Sequence, residues 1–250
     1  MKKVKVVVFL PAHNEEETIG QVISRIPRDV DPQVSVEVHV IDDGSTDKTV
    51  LVSKEAGADY IFSLPKNLGL GNAVRLGLAE SYRHGADIAV MIDADNEYPA
   101  EQITDMVFPI LNGKADYVIG SRFMGRIKGM KLHRRLGNYF FSFLQSLLLC
   151  KWINDGQSGM RAFSRLAVEH AEIIHDYNYA QVLTLNLVRK GFRMLEVPIR
   201  YQARTTGQSF IRFGAYMTAV IPAIIKEMRR PAPKIRITDD YSNPGYLLND

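Results

Sequence analysis

The chain has 250 residues, 46% of them hydrophobic and 24% charged, a balance that excludes wholesale disorder and leaves room for one large α/β domain or two small ones. A formal charge of +3 suits an anionic ligand or a membrane surface but falls short of a nucleic-acid-binding signature. The single cysteine, Cys150, excludes an intrachain disulfide and a thiolate zinc cluster and favours a reducing compartment.

The opening MKKVKVVVFLPAHNEEE is basic at its start, but its apolar run from Val6 to Pro11 is too short for a signal peptide and acids follow at once. It reads as a first strand, VKVVVFLPA, of a cytoplasmic protein. After it, Ile19, Val22, Ile23 and Ile26 recur with helical spacing. SVEVHVID is the second strand, and Asp47 is placed to cap a helix running through Val50, Leu51 and Val52. ADYIFSL is a third strand, followed by a helix near Gly69 to His84 that carries Ala73, Leu76, Leu78 and Ala79. DIAVMID and ADYVIGS complete the strands of the first half. This alternation predicts a mostly parallel sheet flanked by helices. Beyond Ser121 the pattern changes to a basic, glycine-containing connection, a long apolar segment, a loop at NDGQSGMRAF, further helices and a strand at RMLEVPIRY. The predicted organisation is a domain over 1–210 with halves 1–120 and 121–210, an apolar helix over 211–230 and a tail over 231–250.

In open α/β sheets, ligands bind beyond the carboxyl ends of the parallel strands. Polar residues follow three of these strands: Pro11 to Glu15 after the first, Asp42 to Ser45 after the second, and Asp93, Asp95 and Glu97 after DIAVMID. Caps and turns explain any one group alone, but not all three together. An Asp-X-Asp pair offers oxygen ligands without imidazole or thiolate, which points to magnesium or manganese, and such ions share their shell with substrate phosphates. A diphosphate ligand is implied.

In order along the chain, LPAHNEEETI, VIDDGSTDKT, NLGLGNAVRLGL, IDADNEYP, GSR and QSGMRAF resemble the family 2 glycosyltransferases with an A-type fold. Within that family the resemblance is greatest to the polyprenyl-phosphate sugar synthases of the dolichyl-phosphate mannose synthase type, over about residues 4–210. The resemblance makes 1–120 the nucleotide-sugar half and 121–210 the acceptor half. It implies that Pro11, His13, Glu15, Val40 and Asp42 hold the base and ribose, and that Asp93, Ala94, Asp95 and Glu97 surround the diphosphate and its Mg2+ or Mn2+. The synthases often carry glutamine at the position of Glu97. On the acceptor side, Arg122 would bridge donor and acceptor phosphates, Arg134 or Arg135 would hold the acceptor phosphate, and Ser158, Gly159 and Arg161 match the family's acceptor loop. The family's basic lid matches ARTTGQSFI through Arg204, Gly207 and Ser209, but Phe210 stands where its lysine would be, with Arg212 two residues on.

The implied reaction is an inverting hexosyl transfer, with mannose or glucose moving from a nucleotide diphosphate sugar and with the metal and Arg204 stabilising the departing charge. GDP-mannose and UDP-glucose are both compatible donors. A polyprenyl (dolichyl) phosphate acceptor is already anionic, its second pKa being about 6, and needs no catalytic base. A soluble sugar or glycerate acceptor, the alternative, would need one, with Asp155 or Glu97 as candidates. A nucleotide-sugar-binding module without turnover is a third reading.

Residues 136–150, LGNYFFSFLQSLLLC, carry no charge and are flanked by KLHRR and Lys151. As a helix they place Asn138, Ser142, Gln145 and Ser146 on one narrow stripe and Phe, Tyr and Leu over the rest. At about 1.5 Å per residue the segment is too short to span a hydrocarbon core of about 30 Å. It could lie in a membrane interface or bury against the sheet. The same choice faces Phe213 to Ile225, where Pro222 should kink or interrupt a helix. No transmembrane pair is apparent, so the resemblance implies peripheral attachment at the cytoplasmic face.

Overall fold

The computed structural model describes residues 3–176, 179–203, 213–235 and 237. Its strands are β1 (Val4–Ala12), β2 (Val34–Asp42), β3 (Tyr60–Ser63), β4 (Ile88–Met91), β5 (Tyr117–Lys128), β6 (Arg161–Ser164) and β7 (Met194–Gln202). They form one seven-stranded sheet in the order β3-β2-β1-β4-β6-β5-β7. Only β6 is antiparallel to its neighbours.

The near-continuous apolar character of β1 follows from cover on both faces. Val4, Val6, Val8 and Leu10 pack toward α1 (Ile19–Ser24) and α4 (Ile103–Leu111), with α2 (Thr49–Glu55) beside α1. Phe9 and Ile41 pack on the other face against α3 (Leu70–Arg83), and α6 (Arg165–His170) and α7 (Tyr179–Arg189) extend that cover. In α3, Ala73 and Leu78 are buried as expected, and Gly77 is small because the Phe9 ring occupies the space a Cβ would need. Asp47 accepts the Thr49 amide at 2.9 Å where α2 begins.

Two departures from the sequence reading matter for the site. The strand β6 lies in what reads as the loop NDGQSGMRAF; its four residues are too few for a periodic signal, and pairing to β4 and β5 specifies it. The basic connection after Ser121 is a continuation of β5, which resumes its pairing with β7 at Arg126↔Arg200 after an irregularity. Gly125 lies against the Ile199 backbone there, too close for any Cβ.

The helix α5 (Leu132–Leu149) is inverted relative to an ordinary surface helix. Its polar stripe points inward: Ser142, Gln145 and Ser146 are buried. Ser146 Oγ accepts the Ile153 amide at 2.9 Å and Ser142 Oγ the Gly156 amide at 3.0 Å, so the stripe anchors the following loop. The outer face is apolar, with Leu132 71%, Leu136 60%, Phe143 59% and Leu147 65% exposed, and Trp152 71% exposed beyond it. The last helix, α8 (Phe213–Arg229), continues through Pro222 without interruption. Val220, Ala223, Ile224 and Glu227 are buried, and Asn186 of α7 donates to Glu227 at 3.0 Å, so this half of α8 is a packing helix. No helix among the described residues is long and apolar enough to cross a membrane.

Candidate active site

Parallel pairing brings the carboxyl ends of β1, β2 and β4 to one edge, with Ala12 opposite Asp42 and Phe9 opposite Met91. The loops that leave these strands are tied together. Asn14, in the left-handed region at φ 55°, accepts the Thr46 amide at 2.8 Å and its own amide donates to Ser45 Oγ at 3.0 Å. His13 Nδ1 lies 2.8 Å from the Asp43 carbonyl and Nε2 lies 3.3 Å from Asn14 Nδ2, a pattern that assigns the proton to Nδ1. Asp43 accepts the Leu68 and Gly69 amides at 2.7 and 2.8 Å, which fixes the loop before α3. Asp42 accepts the Ser45 amide at 2.9 Å, and Glu15 accepts from Thr18 Oγ1 at 3.0 Å.

His13 and Glu15 remain partly exposed on this edge, and Asp42 sits buried just behind them. Two of the expected nucleotide-binding positions lie within the strands. Val40 is fully buried within the core that faces α1, and Pro11 is buried within the sheet opposite Ile41, so neither side chain presents a surface to a base. Alternation along a strand sends neighbouring side chains to opposite faces, and only the residues at and beyond the strand end reach the cleft.

The acidic loop after β4 is held from both sides. Thr18 Oγ1 donates to the Ala94 carbonyl at 2.8 Å, Arg25 donates to Asn96 at 2.7 Å, and the Glu97 amide donates to Asp95 at 3.1 Å. Glu97 accepts the Tyr201 hydroxyl at 2.6 Å and lies 4.0 Å from Arg134 of α5, so a cation at this carboxylate would share it with two partners. Tyr98 Oη accepts the Gly159 amide at 2.9 Å, and the Tyr98 ring meets Tyr201 edge-on at 5.6 Å. The Asp93 carboxylate fills the place of the missing Gly159 Cβ, so the acidic loop and the loop before β6 are fitted to each other. Gly159→Ala should therefore displace Asp93, an expected metal and diphosphate ligand, and lower kcat/KM by at least about 10-fold in steady-state kinetics.

Burial, then repulsion from Asp95 and Glu97, pushes the Asp93 carboxyl well above the usual carboxylate range. Burial also raises Tyr98 and Tyr201, which stay protonated as hydrogen-bonding groups. Three carboxylates crowd this loop, and a divalent cation would relieve their repulsion. The partly exposed Asp93 and Asp95 supply a hard, oxygen-only donor pair, which fits magnesium or manganese.

Arg122 is buried and its charge is already matched. Its Nε and Nη2 donate to the two oxygens of Asp155 at 2.6 and 2.8 Å, and its amide donates to the same carboxylate at 2.9 Å. Burial works against the guanidinium charge, the paired Asp155 carboxylate opposes that effect, and the Arg122 pKa stays above its ordinary value. Asp155 is 0% exposed, and both of its oxygens are taken by Arg122. Arg161 is 0% exposed and bonds the Ser158 and Gly156 carbonyls at 2.8 and 2.9 Å, Thr184 at 2.9 Å, and Tyr117. It shapes the loop over 154–160 from behind, and Ser158 is buried in the same loop. Of the two candidate phosphate-holding arginines, Arg134 approaches the acidic loop, while Arg135 is exposed beside Tyr139 at 3.3 Å. Arg204, Gly207, Ser209, Phe210 and Arg212 lie outside the described residues. Tyr98, Tyr201 and Glu196, which accepts the Asn154 and Asp155 amides at 2.8 Å, complete the site without having been singled out from sequence. Only Tyr98, adjacent to the acids in NEYP, carried a local signal.

Similarity to known proteins agrees with this arrangement. The profile of Glycosyl transferase family 2 matches residues 7–171. The UDP-N-acetylglucosamine–dolichyl-phosphate N-acetylglucosaminyltransferase of Methanococcus voltae is 32% identical over 65% of this chain and 70% of its own. The polyprenol monophosphomannose synthase of Mycolicibacterium smegmatis is 29% identical over 82% and 80% of the two chains. The glucosyl-3-phosphoglycerate synthase of Mycobacterium tuberculosis, solved with UDP, superposes with a TM-score of 0.72 over 98% of this chain and 92% of its own at 23% identity, a likeness of fold. The expected A-type fold is thus the observed one, and the match over more than half the sequence places its strand-end acids in a family frame: the chain belongs to glycosyl transferase family 2.

Proposed function

We propose that this glycosyltransferase moves a hexose, mannose or glucose, with inversion from a nucleotide diphosphate sugar to a polyprenyl (dolichyl) phosphate at the cytoplasmic face of a membrane. One observation carries this reading. The helix whose outer face is apolar, α5, is also the helix that brings Arg134 to within 4.0 Å of Glu97 in the acidic loop. A lipid lying along that face would deliver its phosphate to the site. Names of relatives that act on dolichyl or polyprenol phosphates support the same acceptor class.

His13, Glu15 and Asp42 would hold the nucleoside of a donor such as GDP-mannose or UDP-glucose at the β1–β2 edge. Mg2+ or Mn2+ held by Asp93 and Asp95 would supply Lewis-acid stabilisation of the diphosphate as it leaves. Arg134, partly exposed at the mouth, would orient the acceptor phosphate, whose oxygen attacks the anomeric carbon as the bond to the diphosphate breaks. That oxygen is anionic near neutral pH, so no side chain has to remove a proton. The Arg122–Asp155 pair would set the local field without contacting phosphate.

Incubation of the protein with labelled donor, polyprenyl phosphate and Mg2+ or Mn2+ should give a chloroform-extractable glycolipid. Asp95→Ala should lower the rate by about 10²–10³, the usual cost of removing a group that stabilises developing charge. Label appearing only in a water-soluble product would replace the lipid acceptor with a soluble phosphate or sugar. Membrane contact has its own test: Phe143→Glu with Leu147→Glu should abolish co-sedimentation with anionic vesicles while leaving the thermal midpoint within about 2 °C, because both side chains are outward-facing.

A further inference from the structure

A second group of ligating side chains lies away from the strand ends, on the face of the sheet covered by α3. Glu37 and His39 stand two residues apart in β2 and so share that face, and His84 directly follows α3. One ligating atom from each of the three lies within 4.8 Å of the others. The His39 ring is fully buried, and its Nε2 is 3.3 Å from Glu37 Oε2. Its Nδ1 is buried without a hydrogen-bond partner among the described residues. The nitrogen that faces Glu37, Nε2, is the one available to an ion shared by the two side chains.

The surroundings favour a cation. Tyr60 and Phe62 border the two rings, with Tyr60 4.3 Å and Phe62 5.7 Å from the His84 ring centroid. The His39 and His84 rings lie 4.8 Å apart at 75°, crossed rather than stacked. Lys5 holds Glu37 Oε1 at 2.6 Å, which fixes the carboxylate with Oε2 toward His39.

We propose that Glu37, His39 and His84 form a binding site for a zinc-class divalent cation, with a fourth position open to water. Two imidazoles and a carboxylate are the donor set of borderline metals such as Zn2+ and Co2+, whereas the acidic loop after β4 offers oxygen alone. The chain therefore carries two sites of different metal preference. The ion would clamp the middle of β2 to the turn between α3 and β4, and Glu37 and His84 are partly exposed, which leaves an entry path. The site stands apart from the strand-end acids, so the clamp bears on stability rather than on transfer.

Titration of the tag-free, chelator-stripped full chain with Co2+ tests the proposal. One equivalent should give the intense visible bands of a four-coordinate ion, removed by added Zn2+, and Zn2+ should raise the thermal midpoint. His84→Gln and Glu37→Gln, both at partly exposed positions, should each weaken binding by more than about 10-fold, the loss expected when even an outer partner of a ligand is removed. Circular dichroism checks that each variant is folded, and Asp95→Asn should leave the bands unchanged. Only weak, six-coordinate absorption in the unaltered protein, bands that survive both Gln variants, or bands lost in Asp95→Asn would each overturn it.

Discussion

Asp93→Asn should yield a protein that is harder to melt and almost inactive. In the folded chain burial, and then repulsion from Asp95 and Glu97, raises the Asp93 carboxyl above the value it has when unfolded. A group raised in this way contributes its stability fully below the unfolded pKa, and that contribution is lost as pH rises through the folded pKa. Once ionised, Asp93 therefore strains the cation-free protein. Asparagine keeps the shape, removes one of three crowded charges and should raise the melting temperature by about 2–4 °C for each kcal/mol recovered. The same charge is what would hold the metal and diphosphate, so turnover should fall by about 10²–10³. In the unaltered protein, Mn2+ affinity should rise with pH across the window between the ordinary carboxylate range and the raised value, because binding expels a proton. An Asp93→Asn variant that melts no higher than the unaltered chain, or that keeps its rate, would remove Asp93 from this role.

How far the sequence disclosed all this depends on the range of the interaction that specifies each part. The Val-rich strands β1 and β2 were legible because cover on both faces demands continuous apolar residues. The acids Asp93 and Asp95 stood out because charge at the end of a buried strand asks for a partner. What stayed hidden was long-range. The strand β6 is specified by neighbours on both sides, and Arg122 finds Asp155 across 33 positions. Glu97 finds Tyr201 across 104 positions. The stripe of Asn138, Ser142, Gln145 and Ser146 was visible, but not that its buried members turn inward to serve loop amides. Val40 shows the converse limit: a motif position can be right while strand alternation turns its side chain into the core.

Asp155→Ala should destabilise the protein by about 3–5 kcal/mol, the largest stability loss expected of any single change at the site. Arg122 is buried and takes its bidentate partner from Asp155, and truncation would leave a guanidinium in low dielectric without compensation. Urea unfolding measures this directly through a lower midpoint at unchanged slope. Joint replacement, Arg122→Met with Asp155→Leu, removes both charges and should restore most of the loss, since apolar side chains of similar volume commonly substitute for a buried pair. Restored stability should not restore activity at neutral pH. Arg122 is among the charges that draw the Asp93 carboxyl back down, so its removal drives that carboxyl further up. The double variant should then require a higher pH for half-maximal transfer, with the rate recovering as Asp93 ionises. A stable double variant with an unshifted pH profile would assign the pair to folding alone; a shifted profile ties the buried pair to the ionisation of the donor site.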